Sequence, residues 1–266
     1  MQSQLSANIR YTLCEVSSKT KTPHLGSCLS GVDILVALYW HVLNINPDQP
    51  TKDDRDFFLL SKGHAANLLY TTLAYRGFFP IDSLYQHGAT GSQFEEHPGI
   101  NAPLGVENVS GSLGHALSLA TGMALTCKIQ NRPNQFYVLM GDGELNEGTV
   151  WEAAMFAAGQ KLDNLVAIVD FNKLQGTGES CDIMHLEKLE DKWSAFGWHS
   201  IRVDGHCQTS LLAAFEQAKH SNRPVCIVAD TIKGKGISFM ENDNNWHYRI
   251  PTSDELITIK EELGLS

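Results

Sequence analysis

The chain has 266 residues, 42% of them hydrophobic and 19% charged, so it can bury a sizeable core without disulfide or metal staples. Its 20 basic residues against 30 acidic ones give a net charge of −10 with no basic cluster, which excludes a nucleic-acid backbone as the expected partner. The amino terminus lacks an apolar signal core and no run reaches membrane-spanning length, so no membrane contact and a cytoplasmic location are expected.

Apolar periodicity predicts a first helix over 4–16 and a second over 32–43, preceded by the loop His24-Leu-Gly-Ser. The run 57–60 predicts a short buried strand, after which Ser61-Lys-Gly-His64 turns into a helix reaching residue 75. Residues 88–114, rich in Gly, Pro and Asn, form a long irregular stretch of the kind that carries function in compact domains. Helices and strands then alternate: helix 114–128, strand 136–140, helix 150–160, strand 165–170, helix 186–196, strand 200–203, helix 210–220, strand 225–231, and a last helix over 254–263. Continuously apolar strands between amphipathic helices imply an α/β fold, a parallel sheet with helices on both faces. No repeat or linker interrupts the pattern, so residues 1–266 read as one domain. Six cysteines without a C-x-x-C pair read as reduced, mostly buried thiols.

In such a sheet, ligands bind beyond the carboxyl ends of the strands. The strand 136–140 runs into Gly141-Asp-Gly-Glu-Leu-Asn-Glu-Gly148, and the strand 165–170 into Phe171-Asn172-Lys173-Leu174. Asp142 and Asn172 stand one β-α-β crossover apart, so both can reach the same sheet edge. A carboxylate, an amide oxygen and a backbone carbonyl suit a hard cation such as Mg²⁺. Gly141 and Gly143 let the backbone approach phosphate oxygens, and the following helix turns its N-terminus to the anion. The spacing G-x-G-x-x-x-x-G is not that of a dinucleotide fold.

A GDG turn followed thirty residues later by an Asn that closes an apolar strand is the thiamine-diphosphate signature. The stretch GDGELNEGTVWEAAMFAAGQKLDNLVAIVDFNKLQ resembles the transketolase family closely. So do Pro23-His-Leu-Gly26, Ser61-Lys-Gly-His-Ala65, His97-Pro98, Gly105-Val-Glu, Ser110-Gly-Ser-Leu-Gly114 and the stretch 231–241, in family order and nearly end to end. The resemblance implies the thiamine diphosphate-binding fold, in its diphosphate-binding form. It implies thiamine diphosphate and Mg²⁺ as cofactors, with Ca²⁺ or Mn²⁺ as substitutes. Asp142 and Asn172 would hold the metal by side chains and Leu174 by its carbonyl. Ser112, Leu113, Gly141, Gly143, Glu144, Asn172, Lys233, His64 and His247 would contact the cofactor, beside Asp142. His24, His64, His97 and His247 would be catalytic, since imidazole donates and accepts protons near neutral pH. Glu147 would join a carboxylate network linking paired active sites.

The sequence departs from the family pattern at Glu96, His115, Phe171 and Tyr248, which leaves sugar specificity open. The acid that protonates the cofactor's aminopyrimidine belongs, in this family, to a pyrimidine-binding domain that this chain does not carry. The resemblance therefore implies an N-terminal transketolase subunit that works only with a partner chain bearing the pyrimidine-binding and C-terminal domains. The expected assembly is a heterotetramer with a two-fold axis, at which the small-residue helix over 113–126 is a pairing surface. The expected substrates are sugar phosphates of carbohydrate metabolism, such as those of the pentose phosphate series. Two alternatives stand beside this one: a specialised transketolase for a branched, sulfonated, amino or deoxy sugar, and a non-catalytic cofactor-binding module.

Overall fold

The computed structural model describes residues 2–265. Five strands, β1 (Phe57–Leu60), β2 (Phe136–Gly141), β3 (Leu165–Phe171), β4 (His199–Asp204) and β5 (Val225–Asp230), form one parallel sheet in the order β1-β2-β3-β5-β4. Central β3, LVAIVDF, is buried along its whole length, as a strand covered on both faces must be. Edge strand β4 is only partly buried.

Alternate strand residues enter two separate cores, because successive side chains point to opposite faces. On one face Phe58, Leu60, Leu139, Ile168 and Ile227 pack against α1 (Gln2–Thr20), α3 (Val32–Ala37), α4 (Ala66–Tyr75), α9 (Gln208–Lys219) and α10 (Ser253–Glu262). On the other, Leu59, Val138, Ala167, Val169 and Val228 meet α5 (His115–Ile129), α6 (Gly148–Gly159) and α8 (Leu189–Ala195), whose buried Trp193 crosses Trp198 edge-on. This is the α/β architecture that the alternation predicts.

Several boundaries differ from expectation. The first helix runs to Thr20 rather than stopping at Val16. The expected helix over 32–43 forms as α3, which passes into a π-helical turn over Leu38–Val42, and a short additional helix α2 (Leu25–Ser30) precedes it inside the expected loop. Gly31 joins α2 to α3 in close contact with α4, since a Cβ there would lie 2.7 Å from the Leu68 side chain. A one-turn helix α7 (Ser180–Ile183) and a 3-10 turn over Asn244–His247 are too short to leave a periodic signal. Residues 88–114 form no regular element but are pinned. Phe94 is buried against Tyr70 and Phe79, and the Asn108 amide bonds both the N–H and the C=O of Leu60. Four of the six free cysteines are buried, whereas Cys181 is exposed and Cys207 half-buried.

Candidate cofactor site

The β2–β3 register pairs Gly141 with Asp170, so Asp142 and Asn172 leave the sheet at neighbouring heights. Asp142 is 3% exposed, its Oδ1 accepting from the Gly143 N–H at 2.9 Å and its Oδ2 from the Ser180 hydroxyl at 2.7 Å. Lys173 takes a left-handed backbone (φ 68°), and the Asn172 amide oxygen accepts from the Leu174 N–H at 3.1 Å. This Asx turn folds the chain back on itself, so that Asn172 and the Leu174 carbonyl serve one place. Asp142, Asn172 and Leu174 line a single cavity of about 290 Å³ at the strand tips, together with Gly141, Gly143 and Leu113.

Histidines close the cavity. His64, His97 and His247 line it, and His24 stacks edgewise on all three, with ring centroids 5.4, 5.9 and 5.0 Å away respectively. His24 caps α2 with a strained left-handed backbone (φ 70°), and its N–H donates to the His247 carbonyl at 2.8 Å. Burial, reinforced by His97 and Lys233, lowers the His24 pKa to about 4. Burial and Lys233 lower His247 to about 4, and burial pushes His64 well below its ordinary value. These three rings are therefore neutral near pH 7, with one nitrogen donating and one accepting, rather than titrating at neutrality as their residue type alone suggests.

The remaining expected residues divide by position. Glu144 lines the cavity, but its carboxylate is consumed by the protein: it accepts from the Ser61 hydroxyl, from the Gly114 N–H at 2.7 Å and from the Gly141 N–H at 3.2 Å. It clamps three loops together. Lys233 is fully buried behind the lining, its ammonium 2.7 Å from Asn244 Oδ1, 3.3 Å from His247 Nδ1 and 3.4 Å from the Leu174 carbonyl. Burial lowers its pKa to about 8. Ser112 and Glu147 are exposed and stand outside the cavity lining.

Five further residues line the cavity without having been expected there: Ser27, Lys62, Gly111, Gln175 and Gly176. Lys62 donates to the Ser27 carbonyl at 2.7 Å and is salt-bridged to Asp170. It sits inside the Ser-Lys-Gly-His motif, which is the signal that could have found it. Gln175 and Gly176 follow the Asn172 turn, and only the fold shows that the chain bends back there.

The cavity fits a diphosphate held by a divalent ion. Its donors are hard oxygens. Burial, with the nearby Asp170 charge, raises the Asp142 pKa against hydrogen bonds from Ser180 and the Gly143 and Lys173 backbones. Gln175 Nε2 is a buried N–H group with no protein partner, suited to an anionic oxygen. A Cβ on Gly143 would lie 3.0 Å from the Gln175 side chain and fill the cradle.

A parallel α/β domain whose strand tips hold a hard-oxygen set beneath a ring of histidines is a diphosphate-cofactor enzyme domain. The family model described as "Transketolase, thiamine diphosphate binding domain" matches residues 1–266, and the chain belongs to that family. It is 43% identical over 242 residues to the 6-deoxy-6-sulfo-D-fructose transketolase subunit SqwG of Clostridium sp. (strain MSTE9), covering 91% of this chain and 88% of that one. It is 40% identical over 247 residues to one of the named subunits of the apulose-4-phosphate transketolase of Phocaeicola vulgatus, covering 92% and 88%. The solved transketolase of Campylobacter jejuni superposes with a TM-score of 0.92 at 33% identity, over 100% of this chain but 43% of the longer one.

Proposed function

We propose that the chain is the diphosphate-binding subunit of a two-chain transketolase, moving a two-carbon ketol unit from a ketose donor to an aldose acceptor. The carrying observation is the convergence of Asp142, Asn172, Leu174 and the histidine ring on one cavity at the strand tips. In this proposal residues 1–266 are one diphosphate-binding domain, and the pyrimidine-binding and C-terminal domains lie on a partner subunit. Two observations support a separate partner: the relatives named as subunits are spanned to 88% of their length, whereas the Campylobacter transketolase is spanned to only 43%. Among the described residues no helix is long and apolar enough to cross a membrane, in keeping with a proposed cytoplasmic setting.

Bound thiamine diphosphate would supply the nucleophilic thiazolium carbon that carries the ketol unit. Asp142, Asn172 and the Leu174 carbonyl would hold Mg²⁺, or Ca²⁺ or Mn²⁺ in its place. Gly143 and Gln175 would offer N–H groups to the diphosphate, with the Lys233 charge behind them. His24, His64 and His247, being neutral, can each orient a substrate hydroxyl by accepting its proton or by donating to its oxygen, and His97 adds a fourth imidazole to the cavity wall. That property suits a polyol substrate whose hydroxyls and carbonyl exchange protons in turn.

Relatives at 43% and 40% identity are named for a sulfonated and a branched sugar, which favours a modified sugar in a dedicated pathway over the common pentose phosphates. Tyr248 supports this second reading: its exposed ring stands 4.7 Å from His247 and 6.1 Å from His24, where it narrows the approach to the histidines.

The test is calorimetric titration of thiamine diphosphate with Mg²⁺ into the chain reconstituted with its partner subunit, followed by ketol-transfer assays. Binding is expected for the native complex and is expected to be lost in Asp142→Ala. Unchanged affinity in that variant would refute the site assignment, and tight binding without turnover on any sugar would favour a non-catalytic module.

A further inference from the structure

His206 lies in the turn between β4 and α9, outside the four clustered histidines. Its ring has two partners of opposite demand. Nε2 is 2.9 Å from the Ile232 backbone N–H, which can only donate, so Nε2 is the unprotonated nitrogen. Nδ1 lies 2.9 Å from Asp33 Oδ2 and carries the proton donated to it. The neutral ring is thus held in one tautomer by its surroundings.

Asp33 is itself buried and fully occupied. It accepts from Ser6 Oγ at 2.9 Å and from the Arg10 guanidinium at 2.5 Å. The same Arg10 donates through Nε to the Lys235 carbonyl at 2.9 Å. One carboxylate therefore orients two side chains that grip the turn after β5 on either side of Lys233, at the Ile232 N–H and at the Lys235 C=O. Between those grips the Gly234 N–H donates to the Gly26 carbonyl at 3.0 Å, in the segment that follows His24. The turn has no slack: Gly234 has φ 80°, and a Cβ there would lie 2.2 Å from the Met240 carbonyl oxygen. Lys233, carried by this turn, reaches the Leu174 carbonyl and His247 in the cavity.

The geometry points to His206 as a positioning residue: through the Ile232 amide, the Asp33–His206 pair sets where Lys233 stands and hence how Leu174 and His247 are presented to the cofactor. This role rests on the function proposed above.

Two amide replacements divide the ring's duties. In His206→Gln the side-chain oxygen falls near the place of Nε2 and accepts from Ile232 without titrating. In His206→Asn the amide nitrogen falls near Nδ1 and keeps Asp33, but the Ile232 N–H loses its acceptor. Affinity for thiamine diphosphate with Mg²⁺ is measured in the reconstituted two-chain complex. His206→Asn is expected to bind about tenfold more weakly, while His206→Gln stays within about twofold of the native protein.

Native-like affinity in His206→Asn, or equal losses in both variants with parallel falls in Tm, would overturn the role. A second measurement needs no cofactor: ¹⁵N-correlated imidazole signals of the isolated chain should show His247 displaced in His206→Asn and unmoved in His206→Gln. An unmoved His247 in both overturns the positioning role. A native complex with no affinity for thiamine diphosphate overturns the proposed function instead, and the His247 signals still decide the role of His206.

Discussion

Lys62 and Asp170 meet in the floor of the cavity with side chains 1% and 0% exposed. Asp170 also accepts from Ser30 Oγ at 2.6 Å and from the Thr231 hydroxyl, so its charge is shared among α2 and the loops that follow β1 and β5. Removing one partner of such a pair leaves an uncompensated buried charge. Lys62→Met is therefore expected to cost about 3–5 kcal/mol, read as a lower denaturation midpoint. A loss below about 1 kcal/mol would mean that the two hydroxyls alone satisfy Asp170. The histidine cluster makes a second residue-scale prediction. Unfolded histidines titrate near 6.5, whereas folded His24 and His247 take up a proton only near pH 4. Between those values the unfolded chain binds more protons, so stability falls as the pH drops from about 6.5 towards 4 and levels off below. In urea denaturation across that range, the double variant His24→Asn/His247→Asn should show a shallower decline. An identical slope would contradict the burial of these rings. Asp142, Asn172 and the four histidines were legible in the sequence because each stands in a motif loop. Burial was not legible, and burial decides that His24, His64 and His247 are neutral and that Lys233 lies behind the wall.

Between elements, the Glu144 carboxylate does what no single helix cap does. It joins the end of β1 through Ser61, the end of β2 through the Gly141 N–H, and the start of α5 through the Gly114 N–H. The N-terminal N–H groups of a helix have no intrahelical acceptor, and here the partner comes from another turn of the chain. Burial raises the Glu144 pKa, while the Ser61 hydroxyl and the two N–H groups oppose the rise and favour the charged form. Glu144→Ala should strand three buried donors and cost about 2–4 kcal/mol. Faster hydrogen exchange at the Gly114 amide, with core strands unaffected, would locate the loss at the α5 entrance; unchanged exchange there would remove Glu144 from this role. The sheet was readable from its apolar runs, since β2 and β3 lie within a residue of expectation. The short helix α2 was not, because six residues leave no periodic signal and its close fit at Gly31 is made with Leu68 of a helix distant in sequence. The clamp escaped for a related reason: a Glu one residue beyond a GDG turn looks the same in sequence whether it faces a ligand or a neighbouring loop.

At the scale of the whole molecule, α5 and α6 pack side by side and leave one face unsatisfied. His115, Ser118, Leu119, Gly122 and Thr126 form an exposed stripe along α5, at helical spacing. Leu119 is 47% exposed, and Met155 and Phe156 on α6 are 58% and 49% exposed. Glu147, exposed at the α6 N-terminus, borders this face and packs beside Gly114, where a Cβ would lie 2.8 Å from its own. Large apolar side chains gathered on one face favour burial by another chain over permanent contact with water. Small residues on α5 allow a close helix approach, and a two-fold axis would bring the same patch from two copies together. Under the proposed two-chain enzyme, this face would be the assembly surface. Met155→Glu with Phe156→Glu is accordingly expected to leave the isolated chain folded, with native circular dichroism, because neither side chain belongs to the buried core. The same variant should fail to form the heterotetramer in sedimentation velocity, and thiamine diphosphate affinity of the mixture should fall at least about tenfold with it. Normal assembly of the double variant would place the interface elsewhere on the molecule, while normal assembly with lost affinity would mean that α6 shapes the cavity directly.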